Sequence, residues 1–400
     1  MNGKQASAQR SGRPTLLTPM FLTVAFAELA YFTADGVLLP ALPRYVEGPL
    51  GRGDVAVGIV MGSFSLSAFF LRPWAGGQAD RRGRRLLMIV GASLFALSVL
   101  GYLVSDRVPV LVVMRLFTGA GEALFFVGAL AANVDLAPPE RRGEAFSFAS
   151  LALYIGIGAG PFLGEAAIDR YGFEAAWLLS IFLALVAVGL SLRLPPMRPE
   201  GAAPERHRLV HPGGLLPGVV LLAAIWGMSG FLAFVPLYAV HDLDMAGSGL
   251  VLGLFAGIVV AIRSVGATIP DRIGAGRSTR IALVLTALGL LIVGLWRDPA
   301  GLVVGAAVMG IGVALFTPAL FSLAVEGVPP NERGAVMGTV SSFLDIAFGL
   351  GAAVFGFVAS AVGRSGGFLV GSAVAAAGLW IVIGSGLGAR RSSEAIGPAH

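Results

Sequence analysis

The sequence predicts an all-helical integral membrane protein with twelve transmembrane helices in two pseudo-symmetric six-helix bundles. Three observations lead there. The 400-residue chain is 56% hydrophobic and only 13% charged, which no ordinary soluble domain matches. Apolar runs of 18 or more residues recur from end to end, each long enough to cross a hydrocarbon core of roughly 30 Å. The second half of the chain also repeats the first at an offset of 191 residues, and parallel repeats of six helices are a transporter architecture.

The apolar runs place spans near 15–40, 54–77, 86–104, 108–135, 144–166, 174–194, 213–239, 249–270, 280–297, 300–325, 334–360 and 366–388. The segment before the first run is polar, carries Lys4, Arg10 and Arg13, and leads to no small-residue cleavage site. The first run is therefore read as a retained helix rather than a signal peptide. Alternating the spans puts 19 basic residues on one side and 6 on the other, with 3 inside spans, out of 28. The positive-inside rule then makes both termini cytoplasmic in a plasma (inner) membrane. The net charge of +5 sits in short loops, so it speaks for orientation and not for nucleic-acid binding. There is no cysteine and hence no disulfide or thiol chemistry.

Residues 195–212 carry five prolines and mixed charge, and read as a cytoplasmic linker between an N-terminal bundle, 1–194, and a C-terminal bundle, 213–400. Across it Arg72 repeats as Arg263, Asp80 as Asp271, Gly119 as Gly310, Gly121 as Gly312 and Arg142 as Arg333. Near the start the offset becomes 193, and Pro43 and Tyr45 repeat as Pro236 and Tyr238. Most of the 57 glycines lie inside spans, where small residues let helices approach.

The stretch Gly76 to Arg85 holds Asp80, Arg81, Gly83, Arg84 and Arg85 between two apolar runs. Such charges cannot lie in hydrocarbon, so a tight turn at the membrane surface is expected. Gly83 would reverse the chain, and Asp80 would accept hydrogen bonds from a helix N-terminus or an arginine. Asp271, Arg272 and Gly274 form a second copy. This pattern resembles the signature loop between helices 2 and 3 of the major facilitator superfamily. Arg115, Gly119 and Gly121 resemble that family's helix-4 motif. Gly156, Gly158, Gly160, Pro161 and Gly164 resemble the antiporter motif of its proton-coupled exporters, with Glu165 where a second Gly is usual. Pro40 and Pro43 match the paired-proline ending of helix 1 in twelve-helix drug/proton antiporters. Pro161 is expected to bend helix 5 where the halves rock, and Glu165 to lie near the outer end facing water. The C-terminal copies are degraded, with Ala267, Ala347 and Ala306 replacing motif residues, which concentrates the chemistry in the first half.

Ionisable groups carried into the spans are the sharpest signal, because a charge near the bilayer centre costs a few kcal/mol or more unless paired. Arg72 and Arg263 sit eight residues before their turn aspartates and read as gate or snorkelling residues. Asp345 has two candidate partners, Arg72 across the halves or Arg263 within one. Glu28 and Asp35 are seven residues apart and share a helix face, as do Arg115 and Glu122 on the antiparallel helix 4. Placing both helices from their ends sets Asp35 level with Arg115 and Glu28 level with Glu122. Helices 1 and 4 line the central cavity in the family this chain resembles, so the four groups are expected to form a proton-coupling cluster. Fully ionised it would carry −2, and low dielectric then favours a bound proton on one carboxyl. The alternative is a fixed Asp35–Arg115 pair with Glu28 and Glu122 in water. Tyr31, Phe32, Phe125, Phe126, Tyr154, Trp226 and Phe234 are candidates for an apolar substrate wall.

The four histidines are scattered and suggest no metal site, and no cofactor is expected. No nucleophile–base set and no Gly-Lys-Ser phosphate cradle appears, so neither an enzyme nor an ATP-driven pump is expected. The resemblance implies a monomeric secondary transporter exporting a small, partly apolar molecule such as a drug, sugar or metabolite. Its partners would be that molecule, protons and the bilayer. An importer or uniporter of the same fold is the nearest alternative, and a non-transporting membrane receptor the next.

Overall fold

The computed structural model describes residues 16–138, 141–197, 211–265, 273–326, 328–329 and 332–387. The first bundle comprises α1 (Pro19–Glu47), α2 (Asp54–Arg82), α3 (Arg84–Tyr102), α4 (Val108–Leu136), α5 (Arg142–Tyr171) and α6 (Phe173–Leu192). The second comprises α7 (Pro212–Leu237), extended by a π-turn at Tyr238–Asp242, then α8 (Gly249–Val265), α9 (Ala275–Leu295) and α10 (Pro299–Ala324). Its last helical stretch, Arg333–Gly384, is divided at Gly363 (φ 80°) into α11 (333–362) and α12 (364–384). Large apolar side chains such as Phe70, Leu97, Phe182 and Trp380 are exposed on the outside, the surface that hydrocarbon would cover. The helix α7, by contrast, is almost wholly buried at the centre.

The repeat is written into the backbone. Gly83 (φ 93°) and Gly274 (φ 87°) are repeat mates, as are Gly172 (φ 84°) and Gly363 (φ 80°). Each joins two helices almost without a loop in a conformation that only glycine adopts freely.

Several expected boundaries shift. The first helix does not end at Pro40 but runs to Glu47, with Pro40 and Pro43 inside it. Its last turns bury Ala41, Leu42 and Val46 in the first bundle, and that packing outweighs the lost backbone hydrogen bonds. The signature stretch is not a turn throughout. Gly76, Asp80, Arg81 and Arg82 continue α2, and only Gly83 breaks the helix. Arg81 and Arg82 lie exposed in the last turn, where cations suit the helix dipole. Most of the expected linker, 198–210, and the second signature copy at Asp271 and Arg272 lie outside the described residues.

The helices alternate, so Gly83, the start of α1 and the end of α12 share one face, called here the linker face. Glu47, Asp54, Gly172, Asp242 and Gly363 mark the opposite, distal face.

Candidate functional site

Arg72 on α2 is the hub of the space between the bundles. Its Nη2 donates to Glu122 Oε1 on α4 at 2.9 Å and reaches Asp345 Oδ1 on α11 at 3.0 Å. The guanidinium also lies 4.9 Å from the Phe126 ring centroid. One cation thus serves two carboxylates from different bundles, and the triad carries one net negative charge when fully ionised. Between the two candidate partners for Asp345, the geometry selects Arg72.

Arg263 on α8 packs over the ring of Tyr154 on α5, with its guanidinium carbon 4.7 Å from the centroid. Both Phe126 and Tyr154 keep partial exposure. The other candidate wall residues do not. Tyr31, Phe32, Phe125, Trp226 and Phe234 are buried in packing, Tyr31 stacking on Phe125 at 4.0 Å and Phe234 on Phe355 at 4.8 Å.

The expected four-membered cluster on α1 and α4 is assembled only in part, without Glu28. Glu28 is not level with Glu122. It is buried and accepts a 2.9 Å hydrogen bond from Asn133 Nδ2 near the linker-face end of α4. Asp35 faces Glu122 and Arg115 electrostatically, yet among the described residues it has no hydrogen-bond or ion-pair partner. The Arg115 guanidinium is buried, donates to the Val60 and Met61 carbonyls and covers the Phe64 ring at 4.6 Å. The cause is register. The helix α1 ends at Glu47 instead of 40, and seven residues at 1.5 Å each displace the expected level by about 10 Å. Sequence reasoning missed Asn133, since a neutral amide raises no charge signal. A polar amide in an apolar run was the available clue.

At the linker face Arg84 is buried and pairs with Asp80 at 3.0 Å and Asp135 at 2.9 Å, while Arg85 donates to the Leu192 carbonyl at 2.8 Å. These contacts stay within the first bundle. The motif glycines of α5 also face inward. A Cβ on Gly156, Gly160 or Gly164 would strike the α1 backbone at Phe32, Gly36 or Val37. Only Gly158 meets the other bundle, at Ala256. The motif around Pro161 therefore seals α5 to α1, because three of its glycines fall on that one face.

The distal face is closed by contacts between the bundles. Glu165 does not face water. It is buried and accepts from Ser248 N and Oγ at 2.6 Å and Gly249 N at 2.8 Å, capping the N-terminus of α8. Unpaired helix N–H groups and the positive dipole end draw a carboxylate there. Arg364 meets Glu47, Asp54 at 2.9 Å and Asp242 at 3.0 Å, and His241 meets Glu47 at 2.8 Å. Beneath them α2 and α11 touch backbone to backbone, where a Cβ on Gly58 would lie 2.6 Å from the Ala352 carbonyl oxygen.

A twelve-helix, two-bundle membrane transporter is the class that this fold defines. The chain belongs to the Major Facilitator Superfamily, whose family model matches residues 24–297 and 271–397. It is 30% identical over 375 residues to an uncharacterized MFS-type transporter of Salmonella typhimurium, covering 91% of this chain and 95% of that one. It is 30% identical over 389 residues to an uncharacterized MFS-type transporter of Pseudomonas aeruginosa, covering 94% and 95%. Among solved structures it is similar to the nucleoside transporter NupG, with TM-score 0.76 and 13% identity over 91% of this chain and 99% of that one. A POT family transporter in complex with a conjugated peptide gives TM-score 0.78 and 14% identity over 91% and 95%.

Proposed function

We propose that the protein is a proton-coupled exporter of a small, partly apolar molecule, working by alternating access in the plasma membrane with both termini cytoplasmic. The observation that carries this reading is the competition of Glu122 and Asp345 for one arginine across the bundle interface. A proton on either carboxyl cancels its claim on Arg72. Protonating Asp345 releases the charged link between α11 and α2, and protonating Glu122 leaves Arg72 wholly to the second bundle. Charge state and bundle contact are thereby linked, as coupling requires.

The distal face is sealed while Arg72 and Glu122 keep partial exposure, which favours access from the linker face. That face would be cytoplasmic by its excess of basic residues. Glu28, buried and held by Asn133, adds a third carboxyl closer to the linker face than Glu122. Asp35 and Arg115 set the electrostatics of the distal half of α1 and α4. The signature residues Asp80 and Arg84 hold the ends of α2, α3 and α4 together as one rocking unit.

The test is transport in proteoliposomes with an imposed pH gradient, screening dyes, antibiotics and sugars. Wild type should export at least one uphill with counterflow of protons. Glu122→Gln and Asp345→Asn should lose uphill export and keep downhill exchange. Uphill export at the wild-type rate in both variants removes the basis of the proposal.

A further inference from the structure

The repeat that relates the bundles places Arg263 where Arg72 stands, and it changes what surrounds it. Adding 191 to Glu122 gives Val313, and subtracting 191 from Asp345 gives Tyr154. Both carboxylates that hold Arg72 are therefore absent around its mate. The structure keeps the contact and alters its chemistry. Arg72 reaches from α2 to Asp345 on α11, and Arg263 reaches from α8 to Tyr154 on α5. The other counterpart, Val313, is a buried apolar residue of α10. The Nε and Nη2 atoms of Arg263 are buried and have no hydrogen-bond partner among the described residues.

A guanidinium remains charged at any accessible pH. Holding it at this depth without a counterion is costly, and a ring face returns only part of that cost. Four carboxylates carried into the spans are held by other groups: Glu122 and Asp345 by Arg72, Glu28 by Asn133 and Glu165 by the start of α8. Asp35 interacts with Arg115 and Glu122. Among the described residues Arg263 has no acid of its own.

We propose that Arg263 is the receptor for an anionic group on the transported molecule, with Tyr154 supplying the apolar surface beside it. The planar fork of donors suits a carboxylate or phosphate bidentately. The substrate would then complete in trans the ion pair that the first half of the repeat completes with Glu122 and Asp345. This deepens the transport reading above, because it rests on the space between the bundles being the substrate path.

The test is ligand binding to the purified full-length protein in nanodiscs. The probes are 2-naphthoate, 2-naphthyl phosphate and the neutral 2-naphthamide, read by ligand fluorescence. Wild type should bind at least one of the two anions more tightly than the amide, and the preferred anion identifies the class. Arg263→Gln should weaken that anion by about 10- to 100-fold, the equivalent of one charge-assisted hydrogen bond, and leave the amide unchanged. Arg263→Lys should keep part of the preference. Tyr154→Asp restores the acid of the repeat, so it should satisfy Arg263 internally and abolish the preference while the protein melts as wild type does.

No preference for either anion over the amide in wild type overturns the proposal. So does a preference that survives Arg263→Gln. An Arg263-dependent preference together with intact uphill export in Glu122→Gln and Asp345→Asn sinks the coupling reading alone. Lost export in those variants without any anion preference sinks only this inference.

Discussion

Arg72 on α2 and Asp345 on α11 meet at 3.0 Å across the two bundles, while the same guanidinium holds Glu122 at 2.9 Å within its own bundle. The two acids differ in setting: Arg72 donates to both oxygens of Glu122, while Asp345 is the more deeply buried, its side chain 5% exposed against 14% for Glu122. Removing the arginine strands two carboxylates at once. Arg72→Gln is predicted to destabilise the detergent-solubilised protein by about 3–5 kcal/mol, the usual cost of breaking a buried pair from one side. Adding Glu122→Gln and Asp345→Asn to it should recover much of that loss. Thermal unfolding checks both, and an Arg72→Gln protein that melts like wild type contradicts the assignment.

The distal contacts form a latch between the bundles. Arg364→Gln is predicted to open it, shifting the population by about 5- to 150-fold toward a distally open state. Ser248 is fully buried at this latch. In the cysteine-free background, Ser248→Cys should resist a membrane-impermeant maleimide and become reactive when Arg364→Gln is added. Equal labelling with and without Arg364 would show that the cluster does not hold the face closed.

Close backbone approach between α2 and α11 makes a second requirement for closure. A side chain at Gly62 would run into the Gly349 carbonyl. Gly62→Val should therefore leave insertion and folding intact but keep the distal face from closing, so Ser248→Cys labels freely in that background too. A Gly62→Val protein with a protected Ser248→Cys refutes the packing argument.

Much of this was legible in the sequence. Span count, repeat and signature residues all follow from apolar runs and stranded charges, which the bilayer makes costly. Gly83 was readable as a reversal point, yet the turn proved one residue wide. Charged Arg81 and Arg82 can sit on a helix that projects beyond the hydrocarbon, so polarity alone does not mark where a helix stops. The same ambiguity misplaced the end of α1 and with it the level of Glu28 and Asp35. Asn133 was legible only as a polar amide in an apolar run, and the Glu165 cap was not legible. One is a neutral partner, and the other binds the backbone N–H of Gly249 and both N–H and hydroxyl of Ser248, groups that no charge pattern points to.

Orientation is tested by single cysteines at exposed positions on the two faces. Asp106→Cys on the distal face should react with an impermeant maleimide in intact cells. Arg82→Cys at the end of α2 should react only after permeabilisation. The reverse pattern contradicts cytoplasmic termini and with them the direction of export.

In the proposed mechanism, proton occupancy of the Arg72 triad sets the relation between the bundles. The most direct measurement is the pH dependence of the distance between spin labels at Arg82→Cys and Arg277→Cys, exposed positions at the linker-face ends of α2 and α9. Wild type should shift between two distance populations as the pH is lowered, because a proton on Glu122 or Asp345 releases one arm of the bridge. Glu122→Gln and Asp345→Asn should each flatten that response, with Asp345→Asn held near the acid population at every pH. A pH response in both variants indistinguishable from wild type would contradict the account.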